Sequence, residues 1–183
     1  ANAFNAVNTI AQGHYFTGSV SASTQQQFNI TIPAGSKQLK VTLVWSDPQS
    51  TPNTTKALLN DLDLELTHTA SSTTWLPWVL NSTASIAAIQ QLPVRKRDSL
   101  NVVEQISIDH PAAGDYTITV KGFSIPVGAQ PFSIAYQFDT SDTFRWDFPT
   151  GSDHLFPNQT NVLRFESGYA SATGQLEIST DAG

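Results

Sequence analysis

The chain has 183 residues, no cysteine and no methionine, and nine basic against fifteen acidic residues give a net charge of -6. The missing cysteine excludes a disulfide framework, a thiolate zinc site and thiol catalysis, and the acidic balance argues against nucleic acid, which calls for a basic stripe. No apolar run approaches the roughly 18 residues of a bilayer span; charged residues stand at only 13%, and 40 Ser and Thr carry the polar surface, as in secreted β-proteins.

Opening on Ala1 without an initiator methionine, the chain is expected to be a processed or excised segment. Phe4, Val7 and Ile10 recur at spacing three and predict one short helix. After Gly13 the period changes to two. Phe28, Ile30 and Ile32 stop at the turn signal Pro33-Ala34-Gly35, and Leu39, Val41, Leu43 and Trp45 form a strand with one buried side. Leu62, Leu64 and Leu66 alternate with Asp61, Asp63 and Glu65. Val102, Glu104, Ile106 and Ile108 follow, then a turn at Pro111 to Gly114. Tyr116, Ile118 and Val120 lead to Phe132, Ile134 and Tyr136. Short alternating strands with Gly and Pro punctuation predict an all-β fold, an antiparallel sandwich. A polar Asp139-Thr-Ser-Asp142 reads as a linker. Phe144, Trp146 and Phe148 begin a fresh alternation, with further strands expected at 161–165 and 175–179. These extra C-terminal strands either extend the sandwich or begin a second domain, and the second reading is preferred. The expected division is 1–15, 16–138 and 139–183.

No catalytic pattern emerges from the four histidines: no His-x-x-x-His on a helix, no Gly-x-Ser-x-Gly elbow, no phosphate loop. The carboxylates say more. Asp61 and Asp63, two apart on one strand face, repel each other unless a cation or donors intervene. Glu104 shares its phase with core residues, and a buried carboxylate is costly unless paired, hydrogen-bonded or metal-bound. Two readings follow. Glu104 accepts backbone N–H groups at a strand end while Asp61 caps a turn; or Asp47, Asp61, Asp63, Asn101 and Glu104 make an oxygen-only calcium site. Arg95-Lys96-Arg97, the single basic cluster, reads as a solvated loop. Trp75 and Trp78, three apart around a proline, are candidates for stacking on a sugar or for packing against a neighbouring domain. Sequons at Asn29, Asn53, Asn81 and Asn158 decide nothing in a chain this rich in Ser and Thr.

Several strings occur together in order: Leu39-Lys-Val-Thr-Leu-Val-Trp-Ser-Asp-Pro48, Leu59-Asn-Asp-Leu-Asp-Leu64, Asn101-Val-Val-Glu-Gln105, Pro111-Ala-Ala-Gly-Asp-Tyr-Thr117, Val120-Lys-Gly122 and Ile125-Pro-Val-Gly-Ala-Gln-Pro-Phe132. Over roughly 16–138 they resemble the β-sandwich that follows the catalytic domain in a group of bacterial subtilisin-like serine peptidases, a jelly roll similar to the P-domain of proprotein convertases. Residues 1–7 resemble the last helix of the catalytic domain, and 144–149 with 176–183 resemble the start of an Ig-like module. The family's catalytic motifs are missing from this stretch. The resemblance therefore implies a non-catalytic accessory domain of a secreted or cell-surface bacterial endopeptidase, which stabilises the catalytic domain of the same polypeptide or positions its peptide or protein substrate. It also implies calcium, with Asp47, Asp61, Asp63 and Glu104 at matching acidic positions. The loop Gln90 to Ser99 departs from the acidic, Asn-rich loop of the calcium-binding members, since only Asp98 is acidic and three bases stand nearby. The alternative is an independent module that binds carbohydrate or a cell-surface polymer through Trp75 and Trp78. Neither reading involves nucleic acid or a membrane span.

Overall fold

The computed structural model describes residues 3–140, 144–169 and 173–177. In chain order the elements of the first unit, residues 1–140, are α1 (Ala3–Ala11), β1 (Tyr15–Val20), β2 (Gln25–Ile32), β3 (Gln38–Trp45), β4 (Asp61–His68), β5 (Thr73–Trp75), β6 (Trp78–Val79), α2 (Ile86–Ile89), β7 (Val94–Arg95), β8 (Val103–Asp109), β9 (Gly114–Ser124) and β10 (Gln130–Asp139). Two four-stranded sheets hold the orders β1-β10-β3-β8 and β2-β9-β4-β5. The pairings explain the winding: β1 runs antiparallel to β10, β2 to β9, β3 to β8 and β4 to β5. One long antiparallel ribbon, folded at β4–β5 and wrapped over itself, gives this pattern, the jelly roll.

Period-two sequence supplies the core. Leu39, Val41, Leu43 and Trp45 of β3 face Leu62, Leu64 and Leu66 of β4, with Ile106, Ile118, Val120 and Ile134 filling between the sheets; all are buried. Each such side chain contributes about 1.5–3 kcal/mol relative to leaving it in water. The β1–β2 turn comes so close to β9 that Gly122 N donates to Thr24 O at 2.9 Å and Ser23 N donates to Gly122 O at 2.8 Å. A Cβ at position 122 would lie 2.2 Å from Ser21 O, so glycine there is a matter of space.

At the start of the unit, α1 ends in a turn with Gly13 at φ 68°. Tyr136 N then donates to His14 O, and the His14 ring stacks on Tyr136 at 4.5 Å between centroids. Val7 and Ile10 of the predicted apolar stripe are exposed; the side chain of Phe4, its third member, lies outside the described residues.

The second unit, residues 141–183, contains β11 (Phe144–Phe148) paired antiparallel with β12 (Arg164–Ser167). Phe144, Trp146 and Phe165 pack on one another at 5.2–5.9 Å, and Arg145 bridges Asp147 and Glu166. β12 starts three residues later than the sequence pattern places it, because Asn161 is committed to a loop in which its side chain exchanges hydrogen bonds with Phe156. Residues 175–177 are not strand; the rest of that expected strand and the final turn lie outside the described residues. Among the described residues no helix is long and apolar enough to cross a membrane.

Candidate functional site

Alternation places Asp63 and Glu65 on the outer side of β4, and Lys121 of β9 pairs with Glu65. Asp61 shares that side, since one guanidinium meets both it and Asp63; the ladder to β9 shifts register between Asp61 and Leu62, and Asp61 is covered down to 1% exposure. Such a group requires a counter-charge, and two cations supply it. Arg97 Nη2 stands 2.6 Å and Lys56 Nζ 3.0 Å from Asp61 Oδ2. The same guanidinium donates from Nε to Asp63 Oδ2 at 2.9 Å, and its Cζ lies 3.3 Å from the centroid of the Phe123 ring. Arg97 therefore spans the i, i+2 carboxylate pair and is backed by an aromatic face. Burial pushes the Asp63 carboxyl up, while Arg97 pulls it down. Beside this group a shallow hollow of about 320 Å³ is lined by Ser23, Thr24, Gln25, Asp63, Lys121, Gly122 and Phe123.

The loop that delivers Arg97 is held at both ends. Arg95 donates to Leu76 O and Ser107 O and covers the Trp78 ring at 4.0 Å. Asp98 Oδ1 accepts from Leu100 N and Asn101 N, and its Oδ2 accepts from Asn101 Nδ2 at 2.7 Å. Reading the basic triplet as a solvated loop is thus corrected for two of its three members: Arg95 and Arg97 are half-buried and fully engaged, because the sandwich offers them an indole, a pair of carbonyls and two carboxylates.

Glu104 crosses the sandwich. Its Oε2 accepts the Leu64 N–H at 2.7 Å, its Oε1 is buried without a hydrogen-bond partner, and burial pushes its carboxyl up to about 9. At neutral pH it is therefore protonated. Asp47 lies elsewhere, its two oxygens accepting Leu59 N at 2.8 Å and Asn60 N at 2.7 Å. The five expected calcium ligands are thus divided: Asp61 and Asp63 on Arg97, Asn101 turned to Asp98, Glu104 on Leu64, Asp47 on a loop backbone. Among the described residues no three His, Cys, Asp or Glu side chains converge as a metal site.

A second polar set, missed by sequence reasoning, closes that loop end. Asn60 Nδ2 donates to Gln130 Oε1 at 2.8 Å and to Val127 O at 2.9 Å, and Asn60 Oδ1 accepts from Val127 N. Gln130 Nε2 reaches Ser46 O and Pro131 O, and Trp45 Nε1 donates to Asn60 O at 2.9 Å. The motif strings Trp45-Ser-Asp47, Asn60 and Gln130-Pro-Phe132 meet here, in a network that pins the β3–β4 loop to the β9–β10 loop.

The two indoles part company. Trp75 of β5 packs against the core beside Tyr116, whereas Trp78 is 41% exposed, donates Nε1 to Ser107 Oγ and carries Arg95 on its face. They do not make a shared stacking platform. Of the histidines, His68 Nδ1 meets Ser71 Oγ at 2.9 Å, but Nε2 is buried without a partner; no carboxylate orients this ring as a catalytic base needs. His110 occupies an exposed turn at φ 49° before Pro111.

No protein-family model matches the chain. It is similar to the Serine protease/ABC transporter B family protein tagB of Dictyostelium discoideum, 33% identical over 111 residues that make up 58% of this chain and 6% of that protein. The corresponding tagD protein of the same organism is 28% identical over 142 residues, 76% of this chain and 8% of its own length. The chain therefore spans 6–8% of the curated relatives it matches. Among solved structures, a Bacillus licheniformis lipase, BlEst2, in propeptide form aligns with TM-score 0.40 and 14% identity over 69% of this chain and 22% of that one, too distant to carry an argument. The expected tie to a serine protease is thus met by homologues that carry that name, and those homologues are from Dictyostelium rather than from a bacterium.

Proposed function

We propose that the first unit is a non-catalytic accessory domain of a longer polypeptide that contains a subtilisin-like serine peptidase, and that it stabilises the catalytic domain or positions its substrate. One observation carries this reading: the stretch similar to proteins named as serine proteases folds into a sandwich whose motif residues, Trp45, Asp47, Asn60 and Gln130, are spent on one another and on loop backbone. Side chains so engaged hold a surface in shape and leave no base or nucleophile poised for reaction. The exposed stripe of Val7 and Ile10 on α1 supports packing against another domain. Placement of this parent outside the cell belongs to the same proposal.

Deletion of residues 16–138 from the full-length chain tests it. Secreted yield and melting temperature of the peptidase are expected to fall, or turnover of protein substrates to fall with small-peptide turnover kept. Unchanged yield, stability and activity towards both substrate classes would overturn the reading.

A further inference from the structure

The acidic residues of β4 raise a general electrostatic problem, and this chain solves it in an unusual way. Asp61 and Asp63 stand two apart on one strand, and Asp61 is 1% exposed. Carboxylates gathered like this at the edge of a β-sandwich are held by a divalent ion or by side-chain cations. The guanidinium of Arg97 lies between Asp61 and Asp63, within 2.6–2.9 Å of an oxygen of each, and Lys56 shares Asp61 Oδ2. The cradle has spare acceptor capacity even so, since Asp61 Oδ1 is buried without a hydrogen-bond partner. Of the other groups expected to bind calcium, both oxygens of Asp47 accept backbone N–H groups, and Asn101 is turned to Asp98 through its Nδ2.

We infer that Arg97, seconded by Lys56, is the resident cation of this cradle, so that the sandwich keeps its fold without a divalent ion, and that removing the guanidinium opens the cradle to one. Three features favour a tethered cation here. Its charge is delivered by a loop fixed on both sides, by Arg95 on Trp78 and by the Asp98 turn. Its planar fork presents a separate N–H donor to each of the two carboxylates, a fixed geometry that an ammonium lacks. One face of its guanidinium is covered by the Phe123 ring. A bound metal stabilises by mass action and is lost to a chelator; a covalently attached guanidinium is not.

The test is thermal melting of the full chain, with calcium chloride or EDTA as the probes. The wild type is expected to melt at the same temperature in millimolar calcium and in EDTA. Arg97→Ala is expected to melt roughly 5–10 °C lower in EDTA and to recover part of that loss in millimolar calcium. Arg97→Lys, which keeps the charge but loses the fork, is expected to fall between. A wild-type melting temperature raised by calcium would overturn the inference, as would an Arg97→Ala protein as stable as the wild type, or one whose loss calcium does not reduce. If Arg97→Ala fails to fold, Arg97→Lys and an Arg97/Asp63 double-mutant cycle decide. A coupling between the two that disappears in high salt supports the ion pair, and no coupling removes it.

Discussion

Glu104, rising from β8 of one sheet, accepts the backbone N–H of Leu64, in β4 of the other, at 2.7 Å. The need for it comes from strand lengths. β5 pairs with β4 only from Leu66 to His68, so beyond Leu66 the β5 side of β4 has no strand to accept its N–H groups. A buried, unpaired N–H costs about as much as a lost hydrogen bond. Glu104 fills the gap with a carboxyl.

That carboxyl sets a pH dependence. In the folded chain it titrates at about 9 against an ordinary value of 4.5, with burial as the main cause. Below pH 4.5 it is protonated in both states, and its effect on stability is flat. Between 4.5 and about 9 the unfolded chain gives up the proton while the folded chain keeps it, so folding loses roughly 1.4 kcal/mol per pH unit. Glu104→Gln, neutral throughout, is expected to match the wild type near pH 4.5 and to exceed it by roughly 3 kcal/mol at pH 7. Urea unfolding at pH 5, 7 and 9 reads this out. Parallel curves for the two proteins would mean that Glu104 is ionised in the fold.

The loop lock at the other end of the sandwich predicts a different signature. Asn60→Ala removes both donors and the acceptor that meet Gln130 and Val127 and leaves Gln130 Oε1 buried. At about 1–3 kcal/mol for each orphaned group, a loss of roughly 3 kcal/mol in urea unfolding is expected. Asp47→Asn should cost less, about 1–2 kcal/mol, because one oxygen still accepts a loop N–H while the second is exchanged for a donor. Hydrogen exchange at Leu59 and Asn60, whose amides Asp47 holds, should quicken in Asp47→Asn with the β9 amides unchanged.

What the sequence shows and what it hides differ for a physical reason. Leu39 to Trp45 and Leu62 to Leu66 are legible because period two is local, and each residue declares its face through its neighbours. The burial of Asp61 is not, because alternation gives its side of the strand but not the Arg97 and Lys56 side chains that cover it. Arg97 with Asp61, 36 residues apart, and Asn60 with Gln130, 70 apart, meet only through the jelly-roll winding. The basic triplet therefore looks like solvent-exposed charge until β4 is placed beside it. Pro77 splits Trp75 from Trp78 into two short strands, and their spacing of three says nothing about a common face.

Gly122 belongs to the Val120-Lys-Gly122 string and offers a steric prediction. Ser21 O lies 2.2 Å from where a Cβ at 122 would stand, and both atoms are tied down by the Ser23 and Thr24 bonds. The clash is with backbone, so relief requires moving the start of β2 away from β9. Gly122→Ala is expected to lose roughly 3 kcal/mol or more. Gly128→Ala is the control for conformational strain alone, since Gly128 has φ 63° and nothing within 4 Å of the added carbon; about 1 kcal/mol is expected there. Equal losses in urea unfolding would show that the close approach at 122 does not exist in solution.

The indoles separate the accessory reading from a sugar-binding one. Trp75 is packed on the core beside Tyr116, so Trp75→Ala should cost roughly 2–4 kcal/mol. Trp78 is 41% exposed and acts mainly as the seat of Arg95; Trp78→Ala should cost about 1 kcal/mol, with faster proteolysis at 95–97 as Arg95 loses its cover. A sugar platform predicts the reverse emphasis: little stability change for either variant, and tryptophan fluorescence that shifts on titration with soluble oligosaccharides. With one indole packed against the core and a face of the other taken by a guanidinium, the fluorescence is expected to stay flat. A saturable shift abolished by Trp78→Ala would require Arg95 to leave the ring, and would return the carbohydrate reading to first place.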